Sequence, residues 1–506
     1  MTQTPWWQSA VIYQIYPKSF QDSGARGTGD LKGIMARLDY LKTLGVDALW
    51  LTPVYVSPQV DNGYDIADYL AVDPAYGTMS DFEALLAAAH GRDIRIVMDI
   101  VVNHTSTEHA WFKSALGDKN SPYRDYYIWK DPVEGGVPNN WQSKFGGSAW
   151  ELDPATGQYY LHLFAREQAD LNWENPAVRA EVKKIIHFWA KKGVDGFRLD
   201  VINLISKDQA FPSDEIGDGR RFYTDGPRIH EFLQDVSRDV FAPVGAMTVG
   251  EMSSTSLEHC QRYGALDGSE LSMVFNFHHL KVDYPNGDKW TKAPFDFLEL
   301  KRIFNHWQSG MHGKGWSALF WCNHDQPRVV SRFGNDGEYR ECSAKMLGTA
   351  LHFLQGTPFV YQGEELGMTN PGFDAIEQYR DVETLNIFRL QRDAGESAAA
   401  SMAAIMQKSR DNGRTPMHWD AGPNAGFSSV EPWIGVPANA AQINVAKQLD
   451  DPDSVLHHYR NLIALRRRES LMTEGVYRQL LPEHLQVWAY VREGSAERLL
   501  VVNNFY

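Results

Sequence analysis

Short apolar runs alternate with longer amphipathic segments through the first half of the chain. The runs have the length and composition of buried strands and cover residues 10–16, 46–52, 95–103 and 194–200. Between them, apolar residues recur at helical spacing over 30–44, 80–91 and 176–192. Gly45 is a natural stop for the first helix, and Ser80, followed by Glu83, is the predicted N-cap of the second. Strands that alternate with helices predict a parallel sheet.

The same alternation continues further along the chain. Additional strands are predicted near 246–250, 272–276, 317–321 and 359–361, which brings the count to eight. Further helices are predicted at 227–238, 296–308, 341–354 and 453–470. Eight parallel strands, each followed by a helix, predict an α/β protein with a TIM (β/α)8 barrel.

Two regions depart from this rhythm. Residues 104–173 are rich in Trp, Gly, Asn, Pro and Tyr without helical periodicity, which predicts an inserted domain after the third strand. From residue 476 the pattern is that of antiparallel strands, and it is still running at Tyr506, so we expect a truncated C-terminal β-domain. The barrel is then assigned to 1–103 and 174–475, the insertion to 104–173 and the β-domain to 476–506. The helical, polar stretch 373–411 is predicted to form a lid.

Charge and cysteine content exclude several classes of function. The net charge of -15 argues against binding to nucleic acid or to anionic membranes. The N-terminus does not resemble a secretory signal, and no apolar window reaches the roughly 18 residues of a membrane span. Cys260, Cys322 and Cys342 are too widely spaced to suggest a metal site and predict a reducing compartment. We expect a cytoplasmic protein, with protein partners unknown.

Polar side chains cluster where the predicted strands end. They are Asp99 with Asn103 and His104, Arg198 with Asp200, Glu251, and His324 with Asp325. Each alone has a plain structural interpretation, such as a buried ion pair or a satisfied core histidine. In a parallel barrel, however, all of these strand ends face one cleft. Three carboxylates in one cleft suit glycoside hydrolysis, in which one attacks the anomeric carbon and another protonates the leaving oxygen.

Four short motifs carry a resemblance to a known family. Asp99-Ile-Val-Val-Asn-His104, Gly196-Phe-Arg-Leu-Asp200, Glu251 and Asn323-His-Asp325 resemble the conserved regions of glycoside hydrolase family 13, the α-amylase family. The resemblance implies a retaining mechanism, with Asp200 as nucleophile, Glu251 as acid/base and Asp325 as transition-state stabiliser. It also implies a glucose pocket formed by Asp61, Tyr64, His104, Phe164, Arg198, His324 and Arg414. Arg198 is expected to keep Asp200 ionised.

Further motifs narrow the substrate. Asp61-Asn-Gly-Tyr-Asp65 and Ser409–Met417 resemble the exo-acting α-glucosidase branch of the family, which removes single glucosyl units. Val201, directly after the predicted nucleophile, resembles members that act on α-1,6 bonds.

The loop from His278 to Trp290 carries Lys281 and Lys289 beyond Glu251, where the leaving group is expected. Lysines are usually solvated, but two ammonium groups at the pocket mouth of an acidic protein also suit a phosphate. Together with residues 218–227, this loop resembles family members that act on a small phosphorylated disaccharide. The resemblance implies such a substrate, with Lys281 and Lys289 as phosphate ligands and Arg220 and Arg221 as weaker candidates.

Three alternatives remain open. An exo-acting oligo-1,6-glucosidase would act on unphosphorylated oligosaccharides, with the lysines incidental. Sucrose isomerases resemble this chain but carry an arginine-rich segment where it has Lys281-Val-Asp-Tyr-Pro285. A non-catalytic binding member would typically lack the catalytic acids, all of which are present here.

The loop from Asp22 to Asp30 bears on metal binding. Many relatives hold calcium there, but Gly24 and Arg26 stand where Asn and Asp ligands are expected. Calcium needs about 6–8 oxygen ligands. We therefore predict no metal and no other cofactor, with the charge of Arg26 in place of the cation.

Overall fold

The computed structural model describes residues 5–506 and contains a closed barrel of eight parallel strands. The strands are β1 (Ile12–Ile15), β2 (Ala48–Leu51), β3 (Arg95–Ile100), β4 (Gly196–Leu199), β5 (Met247–Met252), β6 (Met273–Asn276), β7 (Ala318–Leu319) and β8 (Thr357–Tyr361). Hydrogen-bonded neighbours run in the order β6-β5-β4-β3-β2-β1-β8-β7. A parallel bridge between Val274 and Ser317 joins β6 to β7 and closes the ring. The predicted TIM barrel is confirmed.

One helix packs outside each interval of the barrel. The helices are α1 (Leu38–Leu44), α2 (Met79–His90), α3 (Pro176–Lys191), α4 (Ile229–Val236), α5 (Leu257–Tyr263), α6 (Phe297–Met311), α7 (Arg340–His352) and α8 (Val455–Arg468). Gly45 ends α1 with a φ of 98°, a left-handed conformation that favours glycine. The continuous helix predicted over 30–44 is divided at Arg37, because Leu31–Ala36 forms a separate helix. Within residues 5–506, no helix combines the length and apolar character needed to cross a lipid bilayer.

The predicted cap of α2 is wrong by two residues. Thr78 is the N-cap, and its side chain accepts a hydrogen bond from the backbone of Asp81 while the Asp81 carboxylate accepts one from the backbone of Thr78. Ser80 and Glu83 have the same spacing as Thr78 and Asp81, so either pair satisfied the sequence pattern. Glu83 instead forms an ion pair with Lys192 at 2.6 Å.

The region between β3 and α3 forms a small β-structure above the barrel. Its strands are His104–Ser106, Trp129–Lys130, Trp150–Asp153, Gln158–Leu161 and Gln168–Asp170, and its helix is Ala110–Ala115. Trp141 and Trp150 pack with Phe211 and Tyr223 of the loop after β4 in one buried cluster. Gly219 makes this close approach possible, because a Cβ atom there would lie 2.3 Å from the Trp141 ring. The insertion is therefore held against the end of β4.

Several further short helices and one pair of short strands lie outside the eight-stranded barrel. They are the helices Trp6–Ser9, Arg220–Tyr223, Val329–Phe333, Asp411–Arg414, Val445–Leu449 and Leu471–Glu474, and the paired strands Tyr55–Val56 and Asp68–Val72. The stretch predicted as a lid contains the helices Val382–Asp393 and Ala398–Lys408. Lys408 forms an ion pair with Asp283, which lies in the loop after β6. Whether this stretch moves as a lid stays a prediction.

The end of the chain forms an antiparallel sheet, as predicted. Its strands are β9 (Val476–Leu480), β10 (Val487–Glu493) and β11 (Arg498–Asn504), with β10 in the centre. Lys301 of α6 is fully buried beside this sheet and donates hydrogen bonds to the carbonyls of Leu481, His484 and Val487 at 2.8, 2.8 and 3.2 Å. One ammonium group thus ties the sheet to the barrel.

We expect Lys301→Met to destabilise the protein by about 2–3 kcal/mol, because buried carbonyls lose a charged donor. The midpoint of thermal unfolding measures the effect. Arg302→Met is the matched control on the same helix, since the Arg302 side chain is 70% exposed. Equal midpoints for the two variants would contradict the role given to Lys301.

Candidate active site

A cavity of about 240 Å³ opens at the carboxyl ends of the barrel strands. The predicted site residues that line it are Asp61, Tyr64, His104, Phe164, Asp200, Glu251, Lys281, Lys289 and Asp325. Arg198, His324 and Arg414 lie just beneath this surface, bonded to residues that line it. Arg220 and Arg221 lie outside the cavity lining.

Arg198 holds the floor of the cavity together. Its side chain is 1% exposed, and Nη1 donates to Asp99 at 2.8 and 3.0 Å and to Asp200 at 2.7 Å. Nη2 donates to Glu251. Asp200 follows β4 and Glu251 lies on β5, so two neighbouring strands present their carboxylates to one guanidinium. A buried cation requires such pairing.

Val201 supplies a second contact to Glu251. Its backbone N–H lies 3.3 Å from Glu251 Oε2, and its φ of 35° is unusual for a β-branched residue. Strained backbone of this kind costs on the order of 1–3 kcal/mol and persists where the surroundings enforce it. The turn after β4 thus helps to orient the Glu251 carboxyl group.

Burial dominates the proton affinity of the two carboxyl groups on Arg198. It raises the pKa of Asp200 to about 7 and the pKa of Glu251 to about 8, and the opposing charge of Arg198 is the smaller effect. The expectation that Arg198 keeps Asp200 ionised is thus only partly met. Between about pH 7 and pH 8 the two groups together carry about one proton, as a nucleophile and an acid require.

Asp325 has the opposite balance. Burial acts to raise its pKa, but the guanidinium charges of Arg410 and Arg414 hold the pKa well below its usual range. Arg414 Nη2 donates to Asp325 Oδ1 at 2.7 Å, and Arg410 Nη1 lies 3.3 Å from the same oxygen. Asp325 is therefore a fixed negative charge beside the titrating pair.

Tyr64 and His324 form a flat wall of the cavity. Their rings are stacked with centroids 5.1 Å apart and planes 5° apart. Burial lowers the pKa of His324 to about 3, so the ring is neutral. Gln14 Nε2 donates to His324 Nδ1 at 2.8 Å, which leaves the ring proton on Nε2, 3.3 Å from Asp325. That N–H is available to a sugar hydroxyl.

The sequence did not single out Arg410, which lines the cavity. Its Nη2 donates to Asp61 at 2.9 Å and its Nε donates to Asp381 at 2.9 Å. Arg410 and Arg414 lie four residues apart in the motif Ser409–Met417, and one short helical turn directs both to the site. That spacing was a usable signal, since residues at i and i+4 share a helix face.

The mouth of the cavity differs from the predicted phosphate site. Lys289 lines it but forms an ion pair with Glu383 at 2.7 Å. Arg220 is paired with Asp218 at 2.8 Å and Arg221 with Asp214 at 2.9 Å. Each of these three cations is therefore already paired with a carboxylate. The loop sequences gave no indication of these partners.

Two lysines at the mouth make no ion pair within residues 5–506. Lys281 Nζ lies 3.3 Å from Ser254 Oγ, and Lys144 Nζ lies 3.2 Å from Ser253 Oγ. Lys144 was not predicted. It comes from the insertion, and its sequence context carries no pattern that places it at the cavity.

In the loop from Asp22 to Asp30, backbone N–H groups donate hydrogen bonds to an aspartate carboxylate. The Asp22 carboxylate accepts hydrogen bonds from the backbone N–H groups of Gly24, Arg26 and Gly27, each at 2.8 Å. The Arg26 guanidinium instead donates to the carbonyl of Pro74, so the expected charge replacement is wrong. Among residues 5–506, no group of three or more His, Cys, Asp or Glu side chains is arranged to hold a metal ion.

The family described as alpha amylase, catalytic domain, matches residues 14–475. The chain therefore belongs to the α-amylase family, glycoside hydrolase family 13. Trehalose-6-phosphate hydrolase of Escherichia coli K12 is 64% identical over 505 residues, which are 100% of this chain and 92% of that protein. The crystal structure of Bacillus licheniformis trehalose-6-phosphate hydrolase superimposes with a TM-score of 0.95 at 59% identity, and the match covers 99% of this chain and 91% of that one.

A relative with lower sequence identity is an oligo-1,6-glucosidase. Oligo-1,6-glucosidase of Parageobacillus thermoglucosidasius is 51% identical over 507 residues, which are 99% of this chain and 90% of that protein.

The pKa values of the paired carboxyl groups predict a bell-shaped pH profile. With methyl α-glucoside, kcat/KM is expected to rise through about pH 7 as Asp200 loses its proton and to fall above about pH 8 as Glu251 loses its own. With p-nitrophenyl α-glucoside the fall is expected to be weaker, because its leaving group needs less protonation. Identical profiles for the two substrates would contradict the assignment of Glu251 as the acid.

Proposed function

We propose that this glycoside hydrolase cleaves the α,α-1,1 bond of trehalose 6-phosphate to give glucose and glucose 6-phosphate. One observation carries the proposal: a single cavity joins a floor of three carboxylates to a mouth with ammonium groups that lack carboxylate partners. The floor suits cleavage of a glycosidic bond, and the mouth suits a phosphate. The high identity to the E. coli enzyme supports the same reading.

The reaction proceeds in two displacements. The Asp200 carboxylate attacks C1 of the unphosphorylated glucose unit while the bond from C1 to the bridging oxygen breaks, and Glu251 gives its proton to that oxygen. Glucose 6-phosphate leaves. Glu251, now a carboxylate, takes a proton from water, the oxygen attacks C1, and Asp200 is released with α-glucose.

The surrounding side chains hold the glucose unit. Tyr64 offers the flat ring, while Asp61 and Asp325 accept hydrogen bonds from hydroxyl groups and His324 donates one. Arg410 fixes Asp61 and Asp325 together, as its bonds to both show. Positive charge that develops at C1 in the transition state is stabilised by the Asp325 carboxylate, which stays ionised.

The free thiols of the chain bear on the cellular compartment of the enzyme. Cys260 and Cys322 are buried free thiols and Cys342 is an exposed one, a pattern typical of reducing surroundings. We infer a cytoplasmic enzyme that acts on a small molecule.

The second candidate is hydrolysis of unphosphorylated α-1,6 glucosides, favoured by Val201 in the cavity lining and by the relative that is 51% identical. Turnover of trehalose 6-phosphate, trehalose and isomaltose by one preparation separates the two. We expect kcat/KM for the phosphorylated sugar to exceed that for trehalose by at least roughly 10- to 150-fold, the value of a single charge-assisted contact. Isomaltose turned over as well as trehalose 6-phosphate would favour the second candidate.

Asp200→Asn is expected to lower kcat on trehalose 6-phosphate by at least roughly 10³-fold, because an amide cannot form the covalent intermediate. The thermal midpoint should stay within a few degrees of the parent, since Asn keeps the shape of the side chain. Substantial activity in a folded variant would show that another group is the nucleophile.

A further inference from the structure

The inserted segment brings a cation to the mouth of the cavity. Lys144 is partly buried there, and its backbone N–H bonds the carbonyl of Leu163 at 2.8 Å, which anchors the residue within the insertion. Its ammonium has one hydrogen-bond acceptor, Ser253 Oγ at 3.2 Å. A positive charge at the wall of a cavity without a carboxylate partner is costly, so the arrangement favours an anionic ligand.

Like charges from two other segments lie nearby. Burial, together with the smaller effects of the charges of Arg220 and Lys281, lowers the pKa of Lys144 to about 7, against the opposing charges of Asp218 and Glu251. Burial and the charge of Arg220 also lower the pKa of Lys281. Mutual repulsion among cations is relieved when a dianion lies between them.

Two consecutive hydroxyl groups complete this cluster. Ser253 and Ser254 come directly after β5, and each lies within hydrogen-bond distance of one of the two lysines. Asn203 bonds the backbone of Ser253 through both its N–H and its carbonyl at 2.9 Å. Ser254 has a φ of 55°, a left-handed conformation that is uncommon outside glycine. The backbone is thus held in a fixed, strained turn.

The serines lie beside the proposed proton donor. They follow Glu251 by two and three residues and line the same cavity. With Glu251 as donor to the leaving oxygen, this position supports a phosphate on the leaving sugar, with the unphosphorylated glucose on the Asp200 side. Lys289 lines the same cavity, but its ammonium group is already paired with the Glu383 carboxylate.

We propose that Lys144 and Lys281, with the hydroxyl groups of Ser253 and Ser254, hold the phosphate of the substrate between the inserted segment and the loop after β6. This assignment rests on the proposed function. It makes Lys144 a determinant of specificity for the phosphorylated sugar, with no role in cleavage.

Kinetics of Lys144→Met with two substrates test the assignment. We expect KM for trehalose 6-phosphate to rise roughly 10- to 150-fold, with kcat within about threefold and with kcat/KM for p-nitrophenyl α-glucoside unchanged. Glucose 6-phosphate should also lose its inhibition of aryl glucoside hydrolysis by a similar factor. Lys144→Arg should recover part of the loss. The control is Lys113→Met, another lysine of the insertion, which is exposed and paired with Glu108.

The outcomes separate the two proposals. If the parent enzyme hydrolyses trehalose 6-phosphate no better than trehalose, the proposed function itself fails. If the parent prefers the phosphorylated sugar and Lys144→Met keeps that preference, only the assignment of Lys144 fails. Equal losses on both substrates would also overturn it, because they would mean that Lys144 merely supports the cavity.

The parent enzyme provides a measurement that does not depend on how the variants fold. Lys144 loses its charge as the pH rises through about 7, while a sugar phosphate, with a second pKa near 6, stays a dianion. KM for trehalose 6-phosphate is therefore expected to rise several-fold between about pH 6.5 and 8.5, relative to KM for p-nitrophenyl α-glucoside. A constant ratio of the two KM values would overturn the assignment.

Discussion

The buried guanidinium of Arg198 is the constraint on which the floor of the cavity depends. It bonds Asp99, Asp200 and Glu251 in a space that excludes most water. A cation in such a place is stable only with its partners, and two of those partners are the proposed nucleophile and acid. The interaction that makes a charged floor tolerable therefore also sets the relative positions of the reacting groups.

Different surroundings give the carboxyl groups of this floor different proton affinities. Asp200 and Glu251 share one arginine, and burial outweighs its effect, so their pKa values rise to about 7 and 8. Asp325 is half-buried, but two further arginines contact it and its pKa falls. Groups of one chemical type thus divide into a proton-sharing pair and a permanent anion, as the proposed roles require.

The mouth of the cavity is lined by the insertion and by the loops after β5 and β6. The insertion is held in place by the packing of Trp141 against Phe211 and Tyr223 of the loop after β4, and the loop after β6 is tied to the helical pair after β8 through Asp283 and Lys408. Substrate specificity therefore depends on several loops together. The side chains proposed to bind the phosphate keep their spacing only while the packing of Trp141 and the ion pair of Asp283 with Lys408 are intact.

The sequence alone determined the barrel and the residues of its floor, since strand periodicity and the order of a parallel barrel decide which side chains reach the cleft. Asp200, Glu251 and Asp325 could be named for that reason. Only the tertiary structure decided the mouth, where Lys289 is neutralised by Glu383, 94 residues away, and Lys144 enters from the insertion. Local patterns show that a lysine is present, but its free charge depends on which remote carboxylates lie within a few ångströms of it.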